Sequence, residues 1–236
     1  MSDMNDTANG FSSGGVLAAV LTPMRGDLSV DHRRLAAHCR WLLDNGCDGL
    51  AVLGTTGEAN SLTLAERLEI LDNLDSAGIP GQALMAGTGC CAFPDTVVLS
   101  RRAVELGAGG VLMLPPFYYK SVSDDGLFAS YAEIIERVGD ERLKIYLYHF
   151  PKMSAVPIGA VLVERLLKRY PHTIAGMKDS SGDLSNMTAM ARAFPGFAVF
   201  SGTDQHLAPL LEKGGAGGIT AVCNVASSLA AEVYRG

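Results

Sequence analysis

The chain has 236 residues, 48% of them apolar and 19% charged, with a formal charge of −6. That excess of acid over base excludes a basic footprint for nucleic acid or an anionic membrane surface, and no apolar run reaches the roughly 20 residues needed to span a bilayer. The five cysteines are odd in number and include the adjacent Cys90 and Cys91, which suits neither a disulfide framework nor a zinc-ligand spacing, so reduced and mostly buried thiols are expected.

Residues 1–13 are polar and lack a charged segment followed by an apolar one, so they read as the disordered start of a cytoplasmic protein whose folded domain is 14–236. Beyond them, short apolar runs alternate with longer stretches of helical period. The first run, 16–21, ends in Leu21-Thr22-Pro23, with no glycine-rich nucleotide turn after it. In 31–44, Leu35, Cys39, Leu42 and Leu43 fall on one helical face opposite Arg33, Arg34 and Arg40, with Ser29 or Asp31 as the cap. The run 49–53 leads into Gly54-Thr55-Thr56-Gly57-Glu58, and Thr63 with Glu66 forms a capping box for 63–76. Runs at 83–86, 110–114 and 145–148 alternate with helical stretches at 94–106, 125–138 and 157–169, and Gly46, Gly78 and Gly107 stand just past three helix ends. The last runs are 173–177, 198–200 and 218–222, separated by helices at 184–193 and 204–212.

Strands apolar at nearly every position and separated by helices belong to a parallel sheet covered on both faces. Eight such units in a chain of this length predict an α/β fold, a closed (β/α)8 TIM barrel, over the open doubly wound sheet. In a barrel the chemistry sits at the C-terminal strand ends. The second strand ends in the Thr55-Thr56 turn, whose hydroxyls and backbone N–H groups suit a carboxylate, although a plain turn supported by Glu58 explains the same residues. The fourth ends in Pro115-Pro116-Phe117-Tyr118-Tyr119-Lys120, and the fifth places Tyr146 and Tyr148 on one side. The sixth delivers Lys178, followed by Asp179-Ser180-Ser181-Gly182-Asp183. Burial of a lysine favours the neutral, nucleophilic amine of Schiff-base chemistry; the alternative is a rim ion pair with Asp179 or Glu58. The glycines of 214–218 precede strand eight and form a connection at the opposite end, Met85, Met113 and Met177 are core residues, and the histidines show no ligand spacing, so no metal is expected.

The segments Gly54-Thr55-Thr56-Gly57-Glu58, Pro116-Phe117-Tyr118-Tyr119, Tyr148-x-x-Pro151 and Gly176-Met177-Lys178-Asp179-Ser180-Ser181-Gly182-Asp183 occur in order over nearly the whole chain. Weaker companions are Leu21-Thr22-Pro23, Ala86-Gly87-Thr88-Gly89, Ser201-Gly202-Thr203-Asp204 and Asn224. Together they resemble the class I, Schiff-base-forming aldolases of the dihydrodipicolinate synthase and N-acetylneuraminate lyase family. The resemblance implies that Lys178 captures the ketone of pyruvate or another 2-oxo acid and that Tyr148 is the general acid/base. It implies that Thr55 relays protons between Tyr148 and a second tyrosine from a neighbouring subunit, Tyr118 with Tyr119 as the alternate register. Thr55 and Thr56 would hold the carboxylate, with Gly54, Gly202 and Ile219 as further substrate-binding positions. No cofactor is implied beyond the covalent imine, the partners are a 2-oxo acid and an aldehyde, and the assembly is a homotetramer or homodimer.

Three departures bear on the second substrate. Met153 stands where dihydrodipicolinate synthases carry an arginine for its carboxylate, with Lys152 beside it as a partial substitute; Gln205 and Ala221 replace a glutamate and a serine of the sialic acid lyase; His149 replaces an asparagine. The expected activity is thus that of a 4-hydroxy-tetrahydrodipicolinate synthase-like lyase with a non-standard second-substrate site. The alternatives are a 2-keto-3-deoxy-sugar-acid aldolase or dehydratase, an N-acetylneuraminate lyase-like enzyme, or a catalytically silent 2-oxo-acid sensor. Family members run longer and add a C-terminal helical bundle. By that comparison this sequence stops within its eighth barrel helix, being either naturally short or a fragment, and an apolar barrel flank is expected to lie open.

Overall fold

The computed structural model describes Phe11 and residues 14–236. The remainder of 1–13, expected to be disordered, lies outside the described residues. Phe11 itself is buried, and its N–H donates to the Tyr146 hydroxyl at 3.0 Å.

Eight strands form in chain order: β1 (Gly15–Ala19), β2 (Gly49–Ala51), β3 (Met85–Gly87), β4 (Gly110–Met113), β5 (Ile145–His149), β6 (Ile174–Asp179), β7 (Ala198–Ser201) and β8 (Gly217–Thr220). They pair in parallel in the order β2-β1-β8-β7-β6-β5-β4-β3. The two ends of that order meet: Leu50 bridges Leu84 in parallel, and the Gly87 N–H donates to the Val52 carbonyl at 2.8 Å. The sheet therefore closes into a TIM barrel, and the open doubly wound alternative is excluded.

Strand alternation sorts the core into two compartments. Leu17, Leu112, Tyr146, Tyr148, Phe200 and Ile219 share the cluster that fills the lumen. Val16, Val111, Ile145, Leu147, Met177 and Val199 face outward into the larger cluster under the helices. Tyr146 spans the lumen because its neighbours lack side chains: a Cβ on Gly110 would lie 2.6 Å from its ring, and one on Gly176 2.8 Å.

The helices are α1 (His32–Asp44), α2 (Leu64–Ser76), α3 (Phe93–Glu105), α4 (Asp124–Val138), α5 (Pro151–Ser154), α6 (Ala160–Arg169), α7 (Leu184–Ala193), α8 (Leu207–Leu211) and α9 (Cys223–Arg235). Asp31, not Ser29, caps α1, and the Thr63–Glu66 capping box of α2 is complete. The helical stretch expected from 157 begins at Ala160, where Gly159 is the extended N-cap, and Pro151–Ser154 forms a separate short turn before it. Ala83, expected in the third strand, lies in a 3-10 turn that hands the chain to β3 two residues later.

The segment read as an interrupted eighth helix forms α9, 13 residues that run to Arg235 and are kinked at Ala226. Asn224 pins it to the barrel: its amide donates to the carbonyls of Ala19 and Ala221, both at 2.8 Å, and its oxygen accepts from the Leu21 N–H and His38 Nε2. Asn224→Ala leaves these groups without partners, and a loss of about 2–3 kcal/mol is expected in urea denaturation; a change below ~0.5 kcal/mol contradicts this anchoring role. The outward side of α9 exposes Val225 and Leu229. Cys39, Cys47 and Cys223 are buried free thiols, Cys90 is half-buried and Cys91 exposed. Among the described residues no helix is long and apolar enough to cross a membrane.

Candidate active site

β6 extends two residues beyond the expected run, so Lys178 lies within the strand and not after it. It sits two positions from Gly176, on the lumen side, while Met177 faces the helices. In register it pairs with Tyr148, and its Nζ stands 4.8 Å above the Tyr148 ring. Lys178 is 5% exposed. Burial pushes its ammonium below the ordinary lysine range, opposed by the adjacent Tyr148.

The rim ion pair offered as the alternative is not built: among the described residues Lys178 enters no salt bridge. Asp179 points to the other side of the strand, where its carboxylate accepts from the Ser181 N–H at 2.8 Å and the Asn186 amide at 2.7 Å. What remains around Lys178 is aromatic and hydroxylic, which suits a neutral amine.

The turn after β2 is held in an unusual shape. Leu53 and Glu58, neither of them glycine, take left-handed conformations with φ of 58° and 53° on either side of it. Thr22 anchors it by donating its hydroxyl to the Gly57 carbonyl at 2.7 Å. The turn brings Thr55 Oγ1 to 3.3 Å from the Tyr148 hydroxyl. The Tyr148 ring is in turn stacked on Phe150, with centroids 5.7 Å apart. The Lys178 amine thus lies over the Tyr148 ring, and the Tyr148 hydroxyl lies within hydrogen-bond reach of Thr55.

These groups open onto a cavity of about 260 Å³ at the C-terminal mouth of the barrel. Of the site residues expected from sequence, Lys178, Tyr148, Thr55, Thr56, Gly202 and Ile219 all line it. Gly54 lines a smaller recess behind Thr55 and Tyr148. Tyr118 and Tyr119 do not join them within one chain: they pack edge to face at 5.2 Å on the loop after β4, 73% and 74% exposed.

Sequence reasoning missed Ala19, Phe150 and Ser180, which with Ala221 complete the lining. For Phe150 and Ser180 the signal was strand alternation, each standing two positions beyond Tyr148 or Lys178. Gly202 has a steric reason: a Cβ there would fall 2.1 Å from Ser180 Oγ and 3.0 Å from the Asp179 carbonyl. Gly202→Ala is expected to displace the strand that carries Lys178 and to lower stability by about 1–3 kcal/mol in chemical denaturation.

The sequence model of the dihydrodipicolinate synthetase family matches residues 12–236. The chain belongs to this family. A DapA-like lyase of Chloroflexus aurantiacus is 36% identical over 221 residues, 93% of this chain and 73% of that protein. The 4-hydroxy-tetrahydrodipicolinate synthase of Moorella thermoacetica is 36% identical over 217 residues, 90% of this chain and 71% of that enzyme. Among solved structures, dihydrodipicolinate synthase from Agrobacterium tumefaciens superposes with a TM-score of 0.89 at 34% identity, covering 93% of this chain and 76% of the other. YagE of Escherichia coli K12, a member of the family solved in complex with pyruvate, gives 0.85 at 29% identity, covering 93% of this chain and 73% of its own.

Of the three departures, the one at His149 has a structural role in this chain. His149 is buried, and its Nδ1 accepts from the Ile158 N–H at 3.0 Å, fixing the segment that leads to α6. Burial lowers its pKa below the ordinary histidine value, partly offset by Asp179, so it works as a neutral structural acceptor. Met153 is 63% exposed and Ala221 lines the cavity. Among the described residues no group of three or more His, Cys, Asp or Glu side chains is arranged to hold a metal ion.

Proposed function

We propose that the protein is a class I lyase that forms an imine between Lys178 and pyruvate or a related 2-oxo acid, in the manner of 4-hydroxy-tetrahydrodipicolinate synthases. The carrying observation is the buried Lys178 amine above the Tyr148 ring, with Tyr148 in turn within reach of Thr55. The neutral amine attacks the ketone carbon. Tyr148 gives a proton to the carbinolamine oxygen, which leaves as water, and the iminium then draws electrons from the neighbouring carbon. Loss of a methyl proton yields an enamine that adds to an aldehyde, and hydrolysis frees Lys178. The iminium itself serves as electron sink, so this route needs no further cofactor.

Thr55 and Thr56 face the cavity and are the proposed carboxylate site. Among the described residues the N–H groups of Thr55 and Thr56 have no hydrogen-bond partner, so they are available to an anion. The exposure of Tyr118 fits its delivery into the cavity of a second copy, which makes the working form a homodimer or homotetramer. Incubation with pyruvate and borohydride, followed by peptide mass spectrometry, tests the reading. A reduced pyruvyl adduct on Lys178 is the expected result, and an unlabelled Lys178 overturns it. Turnover with aspartate semialdehyde, against cleavage of 2-keto-3-deoxygluconate and N-acetylneuraminate, separates a synthase from a sugar-acid lyase. Adduct formation with turnover of none of these is the outcome that favours a 2-oxo-acid sensor.

A further inference from the structure

At the end opposite the cavity, the lumen of the barrel is filled by a residue that lies ahead of β1. The Gly14 N–H donates to the Phe11 carbonyl at 3.0 Å, which brings Phe11 back under the start of that strand. Two glycines leave room for its ring. A Cβ on Gly49, the first residue of β2, would lie 2.6 Å from the ring, and one on Gly109, just before β4, would lie 2.9 Å away. Phe11 is 6% exposed and belongs to the same apolar cluster as Tyr148 and Ile219 of the cavity wall.

From Phe11 a column of rings leads up to the Lys178 amine. The Phe11 ring meets Tyr146 edge to face with centroids 6.2 Å apart, and Tyr146 meets Phe200 in the same way at 5.9 Å. Phe200 is the register partner of Lys178 on β7, as Tyr148 is on β5. Tyr148 is the titratable side chain that faces the amine. Tyr146, a layer below, is a phenol that burial pushes up to about 12, so it stays neutral. The Asp179 carboxylate lies on the other side of β6, and the cavity wall adds only the uncharged Thr55, Thr56 and Ser180 and apolar groups. The neutral state of the amine therefore depends on how dry the column beneath it stays.

We propose that Phe11 is a positioning residue for the reaction at Lys178: its ring seals the floor of the lumen against water and holds Tyr146 in place beneath the amine. The proposal rests on the imine reading and concerns how that same site is kept dry. Removal of the ring leaves an opening beside Gly49 and Gly109, which have no side chains to fill it. That opening is not purely apolar, because the Tyr146 hydroxyl borders it, accepting from the Phe11 N–H at 3.0 Å. A ring-sized hole edged by a hydroxyl and an N–H is one that water enters. Water there hydrates the column from below and favours the charged ammonium.

The test is the rate of imine formation with pyruvate, trapped with cyanoborohydride over a pH series. Phe11→Ala is expected to move the acid limb of that rate alkaline by at least about half a pH unit, a loss of about threefold at any pH on the limb. Phe11→Leu refills most of the hole with apolar groups and is expected to stay within about 0.2 pH units of the wild type. Tm is expected to fall in Phe11→Ala. A purely structural role lowers Tm and leaves the limb where it is, and that result overturns the proposal. A shift in Phe11→Leu as large as in Phe11→Ala overturns it as well. Should Phe11→Ala not fold, Phe11→Val is read in its place: an alkaline shift is expected, and an unmoved limb overturns the proposal. A wild-type protein that gives no adduct overturns the imine reading itself, so the two failures are distinguishable.

Discussion

Lys178→Ala is expected to abolish the borohydride-trapped pyruvyl adduct and to lower kcat for any aldol substrate on the order of 10⁴-fold or more, because the nucleophile has no substitute. Among the described residues no other lysine lines the cavity. The same burial that makes Lys178 nucleophilic also weakens the fold. Its folded pKa lies below the ordinary lysine value, so between the two values the unfolded chain binds more protons than the native one. Stability therefore rises with pH across that window, and the full penalty of the buried amine applies below it. Lys178→Met, which keeps the length and drops the charge, is expected to raise Tm at neutral pH while remaining inactive. A variant that loses both the adduct and stability would mean that Lys178 supports the core and not the chemistry. In the active protein, the acid limb of kcat/KM is expected to fall below the ordinary lysine pKa of about 10.4, since capture requires the unprotonated amine.

Tyr148→Phe is the second large effect. It keeps the ring beneath Lys178 and the stacking on Phe150 but removes the hydroxyl 3.3 Å from Thr55. Imine formation and proton transfer are then expected to slow by about 10²–10⁴-fold, read as single-turnover trapping and as kcat. Stability is expected to change by less than about 1 kcal/mol, because the lost hydrogen bond reaches a threonine at the cavity surface. Thr55→Val interrupts the same proton path one step further out. The double variant is expected to be little slower than Tyr148→Phe alone, since the two groups act as a unit. Additive losses would show that Thr55 works on the carboxylate alone and takes no part in moving the proton.

Much of this architecture is legible in the amino-acid sequence. Fully apolar runs at 16–21, 49–53 and 110–114 could only be strands buried on both faces, and the sidedness of 31–44 identified a helix lying over them. Helix caps at Asp31 and Thr63 were readable because capping is a contact within three residues. Boundaries were less secure where tertiary contacts override local preference. Pro151–Ser154 turns once before the chain resumes as α6, and the Ser154 hydroxyl, within reach of the Phe150 and Val156 carbonyls, has its one proton to give to either. β6 runs on through Lys178 and Asp179 because β5 and β7 pair with it there, although a lysine and an aspartate are poor strand signals. Phe11, inside a segment that reads as polar, is buried because the barrel floor offers it the Tyr146 ring.

The sequence by itself determined the repeating units, their number and the chemical character of each strand end, since periodicity, capping and side-chain type are local properties. Only the tertiary structure decided which ends meet. Thr55 and Tyr148 are 93 positions apart, and it is the seam between Leu50 and Leu84 that curls β2 around to face β5 across the mouth. Alternation separates Lys178 from the carboxylate beside it in sequence, but closure decided which face of β6 became the lumen and so which of the two side chains it encloses. Such contacts depend on how eight strands tilt and close together, a global geometric condition that no short segment encodes.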